Sequence, residues 1–539
     1  MIRIHWADAV AKRLAHRGKK HVIAAGITPS GEFHIGHLRE ILTGEMIHRA
    51  CIKLGLDSEF VFIVDSADPL RKVYSFLDSE YEQYVGHQLA CIPAPDKSGK
   101  PDPDGGAYSD FFLNPFLDAL NKIGVNPRII DNYQSYSEGK FAEVAKIACE
   151  NLEEVREIIE TISGRELSDS WFPYNPVDDN GSMDGLTVSD YEWPYVHWSD
   201  SEGKTGKNDI RLGEGKLPWR LDWPAKWSWV GVTCEPFGKD HGTSGGSYST
   251  GRKFSEMFGY EPPFPLTYEW ISLKGEGAMS SSAGVTIGPM DVLRLVPSEI
   301  LRYLIARSKP SKHLEFNTGE LLLNLADEYE RTCLSVIDSE EINFDDLTKR
   351  QRVLKEEAEG SVIYSQIVPD GEIDDSFRVP FRHLSMLAQI RSEDNDVLLA
   401  LEKGGYINSA KNPSIKLSEK LSKIRYWIQS DHFPSDLRIN LNDTVNPESL
   451  KNFDFSTYDY LNALLIRLNE LSEWDTLNIS KAITIPAKEL NLNLGEVYSL
   501  LYIIFLGEKS GPKLARLLQE LDKNSVCNLI SQAATHKTL

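Results

Sequence analysis

Two histidines three residues apart, His34 and His37, lie in a glycine-containing turn near the start of the chain. Imidazoles at this spacing can both reach an oxygen of one phosphoryl group, and Gly36 between them allows a flat base to approach the backbone closely. Residues 20–26 before the turn have the pattern of a short buried strand, and residues 36–53 after it have helical spacing. The histidines therefore fall where a strand feeds a helix, near free N–H groups and the positive end of a helix dipole, which favours a phosphate-bearing ligand. Two histidines on a helix surface are the alternative interpretation.

A second polar turn follows the predicted strand at residues 229–234. It reads Glu235-Pro236-Phe237-Gly238-Lys239-Asp240-His241. The carboxylate of Asp240 can accept hydrogen bonds from both hydroxyls of a ribose, and Gly238 permits close approach of the backbone. Taken alone, the stretch slightly favours an ordinary polar turn.

Two other segments are candidates for ligand contacts. Residues 65–72 follow a predicted strand at residues 58–64, at the end where doubly wound α/β folds bind their ligands, although a loop that caps the next helix is an equally weighted alternative. Residues 274–284 place glycines around a Met-Ser-rich centre, which is typical of a mobile loop that closes on a substrate. By itself this pattern more often belongs to a surface loop.

The composition limits the class of protein. A chain of 539 residues predicts two to four domains, and 41% apolar with 26% charged residues is typical of a soluble globular protein. The sequence shows no secretory leader and no apolar stretch long enough to span a bilayer, so we expect a cytoplasmic protein without membrane contact. The six cysteines are scattered, and His197 alone cannot make a metal site, so we predict no zinc. With a net charge of −22, a nucleic-acid partner requires a local basic surface.

The pattern of elements predicts an α/β Rossmann-like catalytic domain with insertions, followed by an all-α C-terminal domain. We expect the catalytic domain at residues 1–290, with insertions at about 85–108 and 165–215, a helical connecting region at 291–345 and a helical domain at 346–539. Residues 415–429 form a predicted helix that carries four basic residues (Lys416, Lys420, Lys423 and Arg425). We interpret these residues as a solvated face in preference to an RNA contact.

The two-histidine turn resembles the HIGH signature of class I aminoacyl-tRNA synthetases, and residues 274–284 resemble their KMSKS signature. Three longer segments are similar to the class I lysyl-tRNA synthetase family in particular: Trp219-Arg220-Leu221-Asp222-Trp223-Pro224, the turn at residues 235–241, and Tyr268-Glu269-Trp270-Ile271-Ser272-Leu273-Lys274-Gly275. The resemblance covers nearly the whole chain. It implies that lysine is activated with Mg²⁺ and ATP to lysyl-adenylate and then transferred to the 3′ end of tRNA(Lys), whose anticodon would be bound by the helical domain.

The resemblance also implies roles for individual residues. Those expected to act on the phosphates are His34, His37, Lys274, Ser280 and Ser282, and those expected to bind the nucleotide are Pro29, Gly36, Gly238, Asp240 and Met279. By similarity, Gly26, Thr28, Trp219, His241 and Tyr268 would line the lysine pocket. We also expect Asp222 to line this pocket, because an ammonium group requires carboxylate acceptors.

The loop departs from the family pattern. Ala278 and Ala283 stand where lysines are expected, and Ser281 occupies the second-lysine position. We expect Lys274, Lys239 and Mg²⁺ to compensate. Two alternatives stay open: a glutamate-type class I synthetase, in which Arg220 or Arg71 would pair with the substrate carboxylate, and a non-catalytic synthetase-like protein that binds tRNA.

Overall fold

The computed structural model describes residues 5–274, 277–278, 287–338, 347–369, 371, 373–450 and 455–535. The chain forms two compact units. One comprises Met1–Asn317 with Arg331–Ile373, and the other comprises Thr318–Glu330 with Asp374–Leu539. No described helix is both long and apolar enough to cross a membrane.

The described part of the first unit contains helices, one five-stranded sheet and four smaller sheets of two or three strands. In chain order its described helices and strands are α1 (Trp6–Ala15), β1 (Lys20–Ile27), α2 (Leu38–Lys53), β2 (Asp57–Val64), β3 (Pro93–Pro95), β4 (Pro101–Ala107), α3 (Tyr108–Lys122), β5 (Arg128–Asp131), α4 (Asn132–Ser137), α5 (Ala142–Glu150), α6 (Leu152–Ser163), β6 (Asn175–Pro176), β7 (Thr187–Glu192), β8 (Tyr195–Ser199), β9 (Thr205–Asp209), β10 (Gly215–Lys216), α7 (Trp219–Val230), β11 (Cys234–Gly238), α8 (Ser247–Met257), β12 (Phe264–Tyr268), β13 (Ile271–Leu273), β14 (Gly277–Ala278), α9 (Pro289–Leu295), α10 (Ser298–Ala306) and β15 (Leu314–Phe316). Helix α11 (Glu320–Asp338) belongs to both units, and α12 (Lys349–Ser365) belongs to the first.

The central sheet is parallel and has the order β12-β11-β1-β2-β5. Its middle strands are runs of apolar residues, because helices cover both faces of such a sheet. Thr28 follows β1, Asp65 follows β2 and Asn132 follows β5, so these side chains meet at the carboxyl edge. This is the edge at which open α/β sheets bind ligands.

The two predicted insertions contain antiparallel strands. Strands β3 and β4 pair as a hairpin, and β7, β8 and β9 form a three-stranded sheet. Before the second insertion, the helical segment is interrupted at Asn151, so it forms two helices, α5 and α6.

The predicted strand at residues 229–234 is wrong. Helix α7 extends to Val230 and ends at Gly231, whose φ of 80° is in the left-handed region that glycine adopts most readily. Strand β11 begins only at Cys234. The apolar residues before it were mistaken for a strand because a buried helix can have the same composition.

The second unit is helical. Its described helices are the first part of α11, then α13 (Phe381–Ile390), α14 (Asp394–Lys403), α15 (Ile415–Gln429), α16 (Phe455–Glu470), α17 (Thr476–Glu489), α18 (Leu494–Leu506), α19 (Leu514–Gln519) and α20 (Lys523–Thr535). On α15, Lys420 is buried, contrary to the predicted solvated face. Its ammonium pairs with Glu330 and donates to the carbonyl of Val379 at 2.6 Å, so this charge holds the helices together.

Candidate active site

A cavity of about 620 Å³ opens at the carboxyl edge of the central sheet. The predicted residues Gly26, Thr28, His37, Trp219 and His241 all line it. The indole of Trp219 stacks on the imidazole of His241, with 5.2 Å between the ring centroids. The structure therefore brings together residues from β1, α2, α7 and the turn after β11.

The two signature histidines are held in a defined tautomer. Nδ1 of His34 accepts a hydrogen bond from the N–H of Gly36 at 3.1 Å, and Nδ1 of His37 accepts one from the N–H of His34 at 3.0 Å. Burial lowers the pKa of His34 to about 4 and that of His37 to about 3. Both rings are therefore neutral near pH 7, with the proton on Nε2. Each can donate a hydrogen bond to a phosphoryl oxygen without a change in charge.

Glu40, one helical turn beyond His37, faces the same cavity and was not predicted. One carboxylate oxygen accepts the N–H of Gly26 at 2.7 Å, and the other accepts the hydroxyl of Tyr268 at 2.6 Å. Burial raises the pKa of Glu40 to about 8. Tyr268, which was expected to line the lysine pocket, does not line this cavity itself, but it is hydrogen-bonded to Glu40, which does.

Glu235 on β11 also lines the cavity and was not predicted as a site residue. Its carboxylate accepts the indole N–H of Trp227, and burial raises its pKa to about 7. Among the residues that the structure describes, no Lys, Arg or His forms an ion pair with Glu235 or Glu40. The cavity therefore contains two carboxyl groups without an ion-pair contact among the described residues, although the nearby charge of Lys226 acts on Glu235.

The structure does not place Asp222 on the cavity wall. Its side chain is fully buried behind the wall, where one oxygen accepts the hydroxyl of Tyr136 at 2.6 Å and the other lies 2.8 Å from Nζ of Lys226. Lys226 also pairs with Asp65. Asp222 lies four residues before Lys226 on α7, so the helix itself brings the two charges together.

A second buried ion pair lies beside the first. Lys216 pairs with Asp68, whose other oxygen accepts the hydroxyl of Thr28 at 2.9 Å. Because Thr28 lines the cavity, this pair fixes the orientation of a wall residue.

Of the residues predicted to bind the nucleotide, Gly238 and Asp240 lie together at the end of β11. A Cβ atom at Gly238 would lie 2.6 Å from Oδ1 of Asp240, so the carboxylate can occupy this position only over a glycine. Pro29 is buried and Gly36 is half-buried in the turn before α2. None of these four residues lines the cavity, so the structure brings the predicted amino-acid residues together more fully than the nucleotide residues.

The predicted loop is described only in part. Lys274 is exposed after β13, whereas Met279, Ser280, Ser281, Ser282 and Ala283 lie outside the described residues. Lys239, expected to compensate for missing lysines, pairs with Glu269 at 2.7 Å. Within the described ranges, no group of three or more His, Cys, Asp or Glu side chains has the arrangement of a metal site.

Comparison with known proteins identifies the family. A family model described as tRNA synthetases class I (K) matches residues 4–356, and one described as an anticodon binding domain matches residues 430–534. The chain belongs to the class I (K) tRNA synthetases. The resemblance drawn from the motifs and the predicted fold class are both confirmed.

Similar proteins match over nearly their full length. A lysine–tRNA ligase of Thermoplasma acidophilum is 38% identical and covers 98% of each chain. One of Picrophilus torridus is 35% identical over 98% of this chain and 99% of its own. Among solved structures, a glutamate tRNA ligase of Elizabethkingia meningosepticum covers 96% of this chain and all of its own, at 13% identity and a TM-score of 0.43.

Proposed function

We propose that this protein is the ligase that attaches lysine to tRNA(Lys), with ATP and its Mg²⁺ as co-substrate. The observation that carries the choice of amino acid is the pair of carboxyl groups, Glu40 and Glu235, in a cavity that also contains His37. Carboxyl groups that are shielded from solvent and have no ion-pair contact are suited to the ε-ammonium of lysine.

In the first step, a carboxylate oxygen of lysine attacks the α-phosphorus of ATP, and pyrophosphate leaves. Negative charge grows on the α-phosphoryl oxygens in the transition state, and we assign its stabilisation to the Nε2–H groups of His34 and His37. In the second step, a hydroxyl of the terminal adenosine attacks the carbonyl carbon of lysyl-adenylate, and AMP leaves. Asp240, seated over Gly238, is proposed to accept the ribose hydroxyls of the nucleotide.

The lysine side chain is proposed to point toward Glu40 and Tyr268. Gly26 and Thr28 form the end of β1 beside it, and Trp219 with His241 provides an aromatic wall that packs on its methylene groups. The Tyr268 hydroxyl and the Gly26 N–H favour the ionised carboxylate, so both raise the fraction of Glu40 that is charged and able to pair with an ammonium group.

The glutamate-type alternative is less consistent with this cavity. A γ-carboxylate beside Glu40 and Glu235 would raise the already raised pKa of both groups and could bind only while they are protonated, whereas an ammonium group favours their ionised form. Three arginines also line the cavity, and we interpret them below. The non-catalytic alternative depends on the missing lysines of the loop at residues 274–284, and an assay for adenylate formation tests it directly.

The anticodon-binding family model at residues 430–534 supports a tRNA-binding role for the second unit. We assign residues 1–290 to catalysis, 291–345 to a connecting region and 346–539 to anticodon binding. Since tRNA is charged where translation takes place, we expect the enzyme to act in the cytoplasm.

The decisive experiment measures ATP–pyrophosphate exchange and tRNA charging with lysine and with glutamate, each with and without tRNA. We expect activity with lysine, and a loss of about 100- to 1,000-fold in His37→Ala. His16→Ala, at an exposed histidine following α1, is the matched control and should retain full activity. Activity with glutamate alone would show that glutamate, and not lysine, is the substrate. Binding of tRNA without any ATP–pyrophosphate exchange would establish the non-catalytic alternative.

A further inference from the structure

Three arginines line the same cavity as the two carboxyl groups. Arg71 lies in the segment after β2, Arg165 lies just beyond the end of α6, and Arg220 is in the first turn of α7. Arg71 and Arg165 are exposed and Arg220 is half-buried, whereas Glu235 is buried and Glu40 is half-buried. The carboxyl group of Glu235 and the paired ammonium of Lys226 therefore lie in the interior of the cavity, whereas Arg71 and Arg165 lie near its opening.

The described part of the chain provides no carboxylate partner for these arginines. Among the described residues, the side chains of Arg71 and Arg165 have no acidic partner, and Arg220 donates only to the hydroxyl of Thr250, at 3.0 Å. Arg165 and Arg220 line the same cavity, and the pKa of Arg220 is lowered by burial and by the charge of Arg165. The chain has a net charge of −22, so this cluster is a local concentration of positive charge on an acidic protein.

The cluster has the chemistry of a phosphate site. Guanidinium groups bind phosphate oxygens in bidentate fashion and remain charged at every physiological pH. The α-carboxylate of one lysine supplies a single negative charge, which is too little for three arginines. The triphosphate of ATP also carries several charges, but the described residues predicted to bind the nucleotide lie outside this lining. The tRNA end has several backbone phosphates next to the hydroxyl that must reach the lysyl group.

Resting on the proposed function, we propose that Arg71, Arg165 and Arg220 bind backbone phosphates of the unpaired 3′ end of the tRNA. The cluster offsets the overall repulsion between an acidic protein and a polyanion at the place where the strand enters. It positions the terminal adenosine over the lysyl group, while the carboxyl groups hold the lysine side chain on the other side of the cavity.

The test uses the full chain and two forms of tRNA(Lys): the complete molecule and one that lacks its four unpaired 3′ nucleotides. Dissociation constants are measured for the wild type and for Arg71→Ala/Arg165→Ala at several salt concentrations. We expect the double variant to bind complete tRNA about 10-fold more weakly than the wild type. A plot of the logarithm of the association constant against the logarithm of the salt concentration should be less steep, by about 0.7 for each substituted arginine. For truncated tRNA, the variant and the wild type should bind equally.

Arg128→Ala is the matched control. Arg128 is exposed at the start of β5, pairs with Glu59 at 2.6 Å, and lies at the edge of the sheet away from the cavity. It should bind both forms of tRNA like the wild type. Both substituted arginines of the double variant are exposed, so its thermal unfolding should match that of the wild type.

Three results would overturn the inference. An equal loss with both forms of tRNA would place the contacts elsewhere on the tRNA. Unchanged tRNA binding with a raised KM for ATP would assign the arginines to the triphosphate, and a raised KM for lysine alone would assign them to the α-carboxylate. Lysine-dependent exchange by the wild type tests the proposed function separately, so either conclusion can fail without the other.

Discussion

The hydroxyl of Tyr268 donates a 2.6 Å hydrogen bond to Oε2 of Glu40, although the two residues are 228 positions apart in the chain. The other oxygen of Glu40 accepts the N–H of Gly26. The carboxyl group is therefore fixed from β12 and from β1 while it projects from α2. Each oxygen keeps a lone pair available for a ligand, so the group is oriented in advance for a cation.

Glu40→Gln should weaken lysine recognition. The amide keeps the shape of the side chain and removes the negative charge that we assign to the ε-ammonium. Truncating one partner of a buried charge pair costs about 2–5 kcal/mol, which corresponds to roughly 30- to 4,000-fold in kcat/KM for lysine. The KM for ATP should stay within about 2-fold. Steady-state charging assays at varied lysine and varied ATP measure both quantities.

Glu202→Gln is the control for this substitution, because Glu202 is an exposed glutamate in the turn between β8 and β9. It should leave both kinetic constants unchanged. An equal loss of lysine and ATP efficiency in Glu40→Gln would contradict a specific contact with the amino acid.

The KM for lysine should depend on pH. The raised pKa of about 8 at Glu40 means that, below this pH, the ammonium group must displace a proton from the carboxyl group to bind. The KM should therefore fall as pH rises from 6 to 8 and level off above that, while lysine keeps its ε-ammonium charge. Tyr268→Phe removes a hydrogen bond that favours the ionised carboxylate, so the transition should move to higher pH. A KM for lysine that is constant from pH 6 to 8 would refute the assignment.

The histidines should not produce a transition near pH 6.5. Burial lowers the pKa of His34 and His37 to about 4 and 3, so both remain neutral donors across the range from pH 6 to 8. His37→Ala should lower kcat for exchange by about 100- to 1,000-fold with little change in the KM for lysine, because the contact forms in the transition state. His37→Gln, which offers an amide N–H, should recover part of the loss. A kcat profile with an inflection near 6.5 that disappears in His37→Ala would contradict neutral donors.

The carboxyl edge of the sheet could be predicted because a strand, a turn and a helix each have a clear local pattern. The signature turn before α2 and the Gly238–Asp240 turn lie at strand ends, as that pattern requires. Glu40 could not be found in the same way. In an amphipathic helix an isolated glutamate has the pattern of a solvated residue, and only the tertiary contact with Tyr268 distinguishes it.

Asp222 is the reverse case, a residue that the sequence predicts for the site and that the structure places outside the cavity. A carboxylate in a motif-rich segment was assigned to the substrate, but the structure satisfies it with Lys226. The spacing of four between an acidic and a basic residue on a helix already indicates such a pair. What the sequence alone does not show is that both residues face the interior, since this depends on how α7 packs on the sheet.

Lys226→Met should destabilise the first unit strongly. The ammonium lies between Asp65 and Asp222, and all three side chains are buried. Its removal leaves Asp65 without its ion-pair partner and leaves Asp222 with only the more distant Lys216, at 3.9 Å. Removing one partner of a buried ion pair costs about 3–5 kcal/mol in the free energy of unfolding.

The double variant Lys226→Met/Asp222→Asn also removes the charge of Asp222 and should recover a substantial part of that loss. Lys20→Met, at an exposed lysine 3.6 Å from Asp57, should change the free energy of unfolding by no more than about 0.5 kcal/mol. Urea unfolding followed by tryptophan fluorescence compares the three variants, and a double variant no more stable than Lys226→Met alone would show that Asp222 does not depend on Lys226 for its charge.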